Sequence, residues 1–120
     1  MGNVSIKRVY EPRQAGDGPC FLVERLWPRG FKKEDLAGVT WLKDVAPSPA
    51  LRAWYSHDLA RWEEFRARYR AELESRPQAW QALVEAGRQG PVTLLYSARD
   101  TEHNSAALLR DFILAHLAGE

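Results

Sequence analysis

The segment Val92 to Tyr96, Val-Thr-Leu-Leu-Tyr, constrains this chain more than any other stretch. It is apolar apart from Thr93, rich in β-branched and aromatic side chains, and preceded by Gly90-Pro91. Such a run reads as a strand buried on both faces. It also arrives after a long helical block. A strand that rejoins a sheet after that kind of crossover pairs in parallel, because antiparallel partners are joined by short turns.

Two earlier segments supply its partners. Val4 to Tyr10 alternates in part, and Cys20 to Trp27 is nearly continuous apolar sequence broken only by Glu24 and Arg25, stopped by Pro28-Arg29-Gly30. Gly16-Asp17-Gly18 marks a turn between them. The middle of the chain is helical. Ser48 reads as an N-cap with Pro49 at the first helical position, and Leu51, Trp54 and Tyr55 follow at helical spacing. Trp62, Phe65, Tyr69 and Leu73 form a second stripe. Pro77 restarts a third helix, with Trp80, Leu83 and Val84 inward and Gly87 and Gly90-Pro91 ending it. After Val92–Tyr96 and a polar turn, a last helix carries Leu109, Phe112, Ile113 and His116 on one face. The expected fold is therefore α/β, a small, mostly parallel sheet flanked by helices, in a single domain over residues 1–120.

Composition narrows the partners. With 45% apolar and 11% aromatic residues the chain can build one core without metals or disulfides. Its 17 basic and 16 acidic residues leave a net charge of +1, too little surplus for a dedicated nucleic-acid binder, although a local patch could hold a small anion. Cys20 stands alone and suits a reducing compartment. No run approaches the roughly 18–20 apolar residues of a membrane span, and the first ten residues contain no signal-like run. A soluble cytoplasmic protein is the expectation.

Ligands of open α/β sheets collect beyond the carboxyl ends of the strands. Two polar loops leave such ends here: Arg25-Leu26-Trp27-Pro28-Arg29-Gly30, continuing to Lys32 and Lys33, and Ser97-Ala98-Arg99-Asp100-Thr101-Glu102-His103-Asn104. The same stretches carry a family likeness. The Arg-Leu-Trp-Pro-Arg-Gly motif at Arg25–Gly30, Leu-Leu-Tyr-Ser-Ala at Leu94–Ala98 and the His103-Asn104 pair stand in order with Lys7–Tyr10, Trp41, Lys43, Ala46–Ser48 and His57-Asp58. This pattern resembles the YeaO-like family, domain of unknown function 488, over nearly the whole chain. Glu24 departs from the aspartate more usual in that family. A more distant branch has Cys-His-Arg where this chain has Asn104-Ser105-Ala106, so cysteine chemistry is not expected at this loop. The resemblance implies a shared fold and shared loops rather than an activity.

Two functional readings follow from the residues. In the first, an enzyme acts on a small anionic metabolite: Arg25, Arg29 and Arg99 grip the anion with forked donors, His103 or His57 handles the proton, and Ser97 and Asn104 position the substrate. In the second, a non-enzymatic metal-binding or ligand-sensing module uses His57 and His103, with Asp58, Asp100 or Glu102 completing a metal set. Each has a plainer counterpart. Arg25 can pair with Glu24 or Asp100 and tie the loops together, the histidines can be caps, and His116 can be structural. Ser97 lacks the Gly-x-Ser-x-Gly turn of an exposed nucleophile, and Gly-x-Gly-x-x-Gly is missing, which argues against a dinucleotide; any other cofactor is left open. Trp54, Trp62 and Trp80 fall on helical stripes and should be core, whereas Trp27 could wall a pocket or stack on Arg29 or a base. Cys20 reads as a small core residue.

Overall fold

The computed structural model describes residues 3–119. Strands β1 (Asn3–Arg8), β2 (Cys20–Leu22), β3 (Thr40–Trp41) and β4 (Pro91–Tyr96) form one sheet in the order β1-β4-β2-β3, every pair parallel. Helices α1 (Pro49–Tyr55), α2 (Trp62–Glu74) and α3 (Pro77–Gln89) occupy the crossover, and α4 (Ser105–Ala118) follows β4.

The last strand is the central one. It pairs with β1 from Pro91 to Tyr96 and with β2 from Thr93 to Leu95, and Val92 to Tyr96 are all buried. Alternation splits its side chains between two layers. Val92, Leu94 and Tyr96 join Phe21 and Val23 under the helices, against Leu83, Leu109 and Ile113. Leu95 faces the other way with Cys20 and Leu22, covered by Val9, Leu36 and the partly buried Trp27 and Phe31. Both faces of the sheet are dry, which is why β4 reads as a continuous apolar run.

Several sequence expectations shift by local chemistry. The run from Cys20 to Trp27 keeps strand geometry only to Leu22, with one further ladder bond from Val23 N–H to the Leu95 carbonyl at 3.2 Å. β3 carried no visible signal, because two exposed residues on an edge make no hydrophobic pattern. Gly87 does not end α3. It sits inside the helix, where a Cβ would lie 2.8 Å from Leu117 Cδ1, so it permits close approach of α4 instead.

The helices begin as their sequences direct. Ser48 Oγ accepts from Leu51 N–H at 3.1 Å, and the Glu72 carboxylate accepts from Ser48 N–H (2.9 Å) and Oγ (2.5 Å), which locks the start of α1 to α2. On α2, Phe65, Tyr69 and Leu73 are buried, and Tyr69 donates its hydroxyl to the Val45 carbonyl at 2.6 Å. Trp80 is core and donates to the Leu73 carbonyl, but Trp54 and Trp62 are only partly buried. Arg61 and Arg68 lie over the Trp54 ring. His116 is exposed on α4, yet its ring packs on Trp80 and Phe112.

The turn before β2 tolerates only glycine at one position. Gly18 has φ +67° and ψ −161°, and a Cβ there would fall 2.0 Å from the Pro91 carbonyl oxygen. Asp17, its neighbour, accepts from Lys7 Nζ at 2.6 Å and gives its carbonyl to Thr93 Oγ1 at 2.8 Å, so the turn cannot drift away from the clash. Gly18→Ala should therefore destabilise by about 1–3 kcal/mol or more, whereas Gly16→Ala, with open space around it, should be nearly neutral. Urea unfolding of the two variants checks this, and equal midpoints would mean that the turn is not held against β4.

Candidate functional site

Because every strand is parallel, the loops after β1, β2 and β4 leave the same end of the sheet. Those after β2 and β4 meet through Glu24. Its carboxylate accepts from the backbone N–H of Ser97 at 3.0 Å and from the Ser97 hydroxyl at 2.6 Å. From the other side, the Arg8 guanidinium donates to the carbonyls of Ala98 (2.9 Å) and Ser97 (3.3 Å). The loop after β4 is thus clamped by an acid from the loop after β2 and a base from the end of β1. The tie exists, but Glu24 makes it with Ser97, and Arg25 pairs with neither Glu24 nor Asp100.

Beyond the clamp, Asp100 organises the turn into α4. It accepts from the backbone N–H groups of Glu102 and His103, both at 2.9 Å, and lies 3.2 Å from His103 Nδ1. With the proton on Nδ1, His103 keeps Nε2 as a free acceptor. Hydrogen bonds from the His103 and Glu102 amides hold the Asp100 carboxyl below its usual range. Asn104 is buried and caps α4: Oδ1 accepts from Ala107 N–H at 2.8 Å, and Nδ2 donates to the Asp100 carbonyl at 3.0 Å. Its amide is committed to structure.

These loops wall a cavity of about 370 Å³ with the end of α1 and the start of α2. Glu24, Ala98, His103, Asn104 and Ser105 line one side. Arg52, Tyr55, Ser56, His57, Trp62 and Phe65 line the other. Two consecutive non-glycine residues, Ser56 (φ 48°) and His57 (φ 58°), turn the chain through left-handed geometry just past α1. That conformation costs roughly 1–2 kcal/mol per residue, and here it sets His57 at the cavity. The structure brings His57, His103 and Asn104 to one cavity, while Ser97 stands outside its lining, bonded to Glu24.

The three arginines singled out by the sequence do not converge there. Arg29 and Arg99 are exposed, Arg25 is half-buried with its Nε enclosed and unpartnered, and none lines the cavity. The cationic lining residue is Arg52, whose guanidinium makes no hydrogen bond or ion pair with the described residues. A signal for it existed: Arg52 precedes Tyr55 by three positions on a short helix, which puts both on neighbouring faces. Trp27 donates to the Phe31 carbonyl at 2.7 Å and meets Trp41 edge-on in the second core, away from the cavity. Cys20 is buried, and burial pushes its thiol up. No group of three or more His, Cys, Asp or Glu residues that could hold a metal ion occurs among the described residues. A larger open groove of about 640 Å³ lies between α2 and α4, but its rim charges Arg70 and Glu74 pair with each other and no loop residue reaches it.

Two outcomes follow. Glu24→Ala leaves two Ser97 donors without their charged acceptor and should cost about 1.5–3 kcal/mol, with Glu24→Gln milder; amide exchange at Ser97 should rise in both. For Asp100, the folded pKa is depressed, so its contribution is present above the unfolded value and is lost as pH falls through the folded one. Carboxyl-carbon NMR should show Asp100 titrating below 3.8, and Asp100→Asn should flatten the acid limb of the stability profile.

The profile described as "Inactive DUF488-N3 subclade" matches residues 3–120. The chain is 42% identical over 111 residues to "Uncharacterized protein YeaO" of Escherichia coli, covering 92% of this chain and 96% of that protein. It is 38% identical over 110 residues to "Uncharacterized protein Mb3100c" of Mycobacterium bovis, covering 92% of each. No solved structure matches it. No helix among the described residues is long and apolar enough to cross a membrane. Matched from one end of the described chain to the other, this protein belongs to the YeaO-like DUF488 family.

Proposed function

We propose that this protein binds a small anionic molecule in the cavity at the carboxyl end of its sheet, without turning it over. Arg52 carries the reading. A guanidinium with no partner among the described residues opens onto a cavity that His57 and His103 also line. The first turn of α4 adds N–H groups that lack intrahelical acceptors, at the positive end of a helix of 14 residues. The nearby carboxylates are held in fixed hydrogen bonds, Glu24 with Ser97 and Asp100 with its own turn, which leaves Arg52 unpaired by either.

Binding without catalysis is favoured on three counts. The Ser97 hydroxyl is donated to Glu24, the Asn104 amide is engaged at both ends in capping α4, and the matched subclade carries the description "inactive". One observation favours catalysis instead: Asp100 orients His103 as a general base would require. Turnover of any bound anion would decide for that reading. A metal module has less support, because the two histidines have no third donor grouped with them among the described residues.

A thermal-shift panel of phosphate, carboxylates and divalent metals tests the proposal. At about a hundred times its dissociation constant an anion should stabilise by roughly 2.7 kcal/mol, a shift of several degrees. Arg52→Ala should abolish that shift without lowering the melting temperature of the free protein, and Arg99→Ala should retain it. Loss of the shift in Arg99→Ala, or a response to metals alone, would sink the reading.

A further inference from the structure

The polar end of the cavity is only half of its surface. Tyr55, Trp62 and Phe65 form an aromatic wall: Tyr55 and Phe65 stack at 4.4 Å and 28°, and Trp62 and Phe65 at 5.7 Å and 29°. His103 meets Trp62 edge-on at 5.1 Å, so the wall runs directly into the polar side. Ala46, Pro47 and Ala53 continue the apolar surface.

Two polar atoms in this wall are unused. Tyr55 is only 8% exposed, yet its hydroxyl has no hydrogen-bond partner among the described residues. It is not sealed off either, because among the described residues the one enclosed and unpartnered side-chain polar atom is Arg25 Nε. A nearly buried phenol that keeps an open donor on a cavity-lining residue is placed to meet something inside that cavity. Burial, with the charges of Asp100 and Asp58, pushes this phenol up and keeps it protonated as a donor. Trp62 repeats the pattern. Trp27, Trp41 and Trp80 each give their indole N–H to a backbone carbonyl, whereas those of Trp54 and Trp62 have no acceptor among the described residues, and of these two only Trp62 lines the cavity.

From this pairing of an aromatic wall and idle donors with a free guanidinium, we infer that the ligand is an acid carried on a planar ring. Its ring lies against Trp62 and Tyr55, its anionic head meets Arg52, and the Tyr55 hydroxyl donates to it. The inference rests on the anion-binding reading of the same cavity and narrows it to one ligand class. An acyclic anion would leave the wall wet and the phenol unpaired, and a neutral ring would leave Arg52 without a partner.

Calorimetric titration with matched probes separates the two levels. Phenyl phosphate should bind about ten-fold or more tightly than inorganic phosphate, and benzoate than acetate, the ratio that one aromatic stacking contact provides. The better of the two ring acids identifies the head group as phosphate or carboxylate. Trp62→Leu should remove most of that ratio, and Tyr55→Phe, which keeps the ring, should weaken the ring acid several-fold. If Trp62→Leu fails to fold, the wild-type ratio and Tyr55→Phe still decide. Equal affinity for ring and ringless anions would overturn the inference while leaving anion binding intact. No binding by either would remove both.

Discussion

Everything in this molecule depends on β4 being both the last strand in sequence and an interior one in space. Its buried residues pair with β1 on one side and β2 on the other, so its backbone hydrogen bonds are satisfied only in the assembled sheet. The sheet cannot close until the chain has passed through α1, α2 and α3. Parallel pairing on both sides then sends three loops out of one end. That common end, and no loop by itself, makes a site possible.

The clamp at this end shows how electrostatics and backbone geometry share the work. Ser97 sits between a carboxylate and a guanidinium that come from opposite neighbours of β4, Glu24 and Arg8. Each satisfies loop backbone groups that leave the ladder as the strand ends. Glu24 therefore stands at the cavity with its carboxylate already hydrogen-bonded to Ser97. The same economy holds at Asp100 and Asn104, which spend their polar atoms on the turn and on the α4 cap. Among the described lining residues, the Arg52 guanidinium, the Tyr55 hydroxyl and the Trp62 indole stay uncommitted, alongside the His57 ring and His103 Nε2, and these define the surface a ligand would meet.

Much of the fold was legible because its signals are local. The Ser48-Pro49 start of α1, the Phe65-Tyr69-Leu73 stripe and the Val92–Tyr96 run all follow from side-chain periodicity and capping chemistry, and each stands where it was expected. The failures are local too. Cys20 to Trp27 looked like one strand because an apolar run cannot tell a strand from an extended loop that packs Trp27 into a second core. Gly87 looked like a helix stop because glycine's other use, letting Leu117 come close, depends on a helix 30 positions away in sequence.

The sequence by itself determined the α/β class, the parallel crossover, the family and the two loops at the sheet's carboxyl end, since each is written in residues that act within a few positions of one another. Only the tertiary structure decided which side chains share the cavity. Arg25, Arg29 and Arg99 stand in the conspicuous loops but outside the cavity lining, whereas Arg52 and Tyr55 come from a short helix that no motif marked as functional. The physical reason is that a cavity is defined by where chain segments distant in sequence converge. That convergence is set by packing of α1 and α2 against the sheet and by the left-handed turn at Ser56-His57.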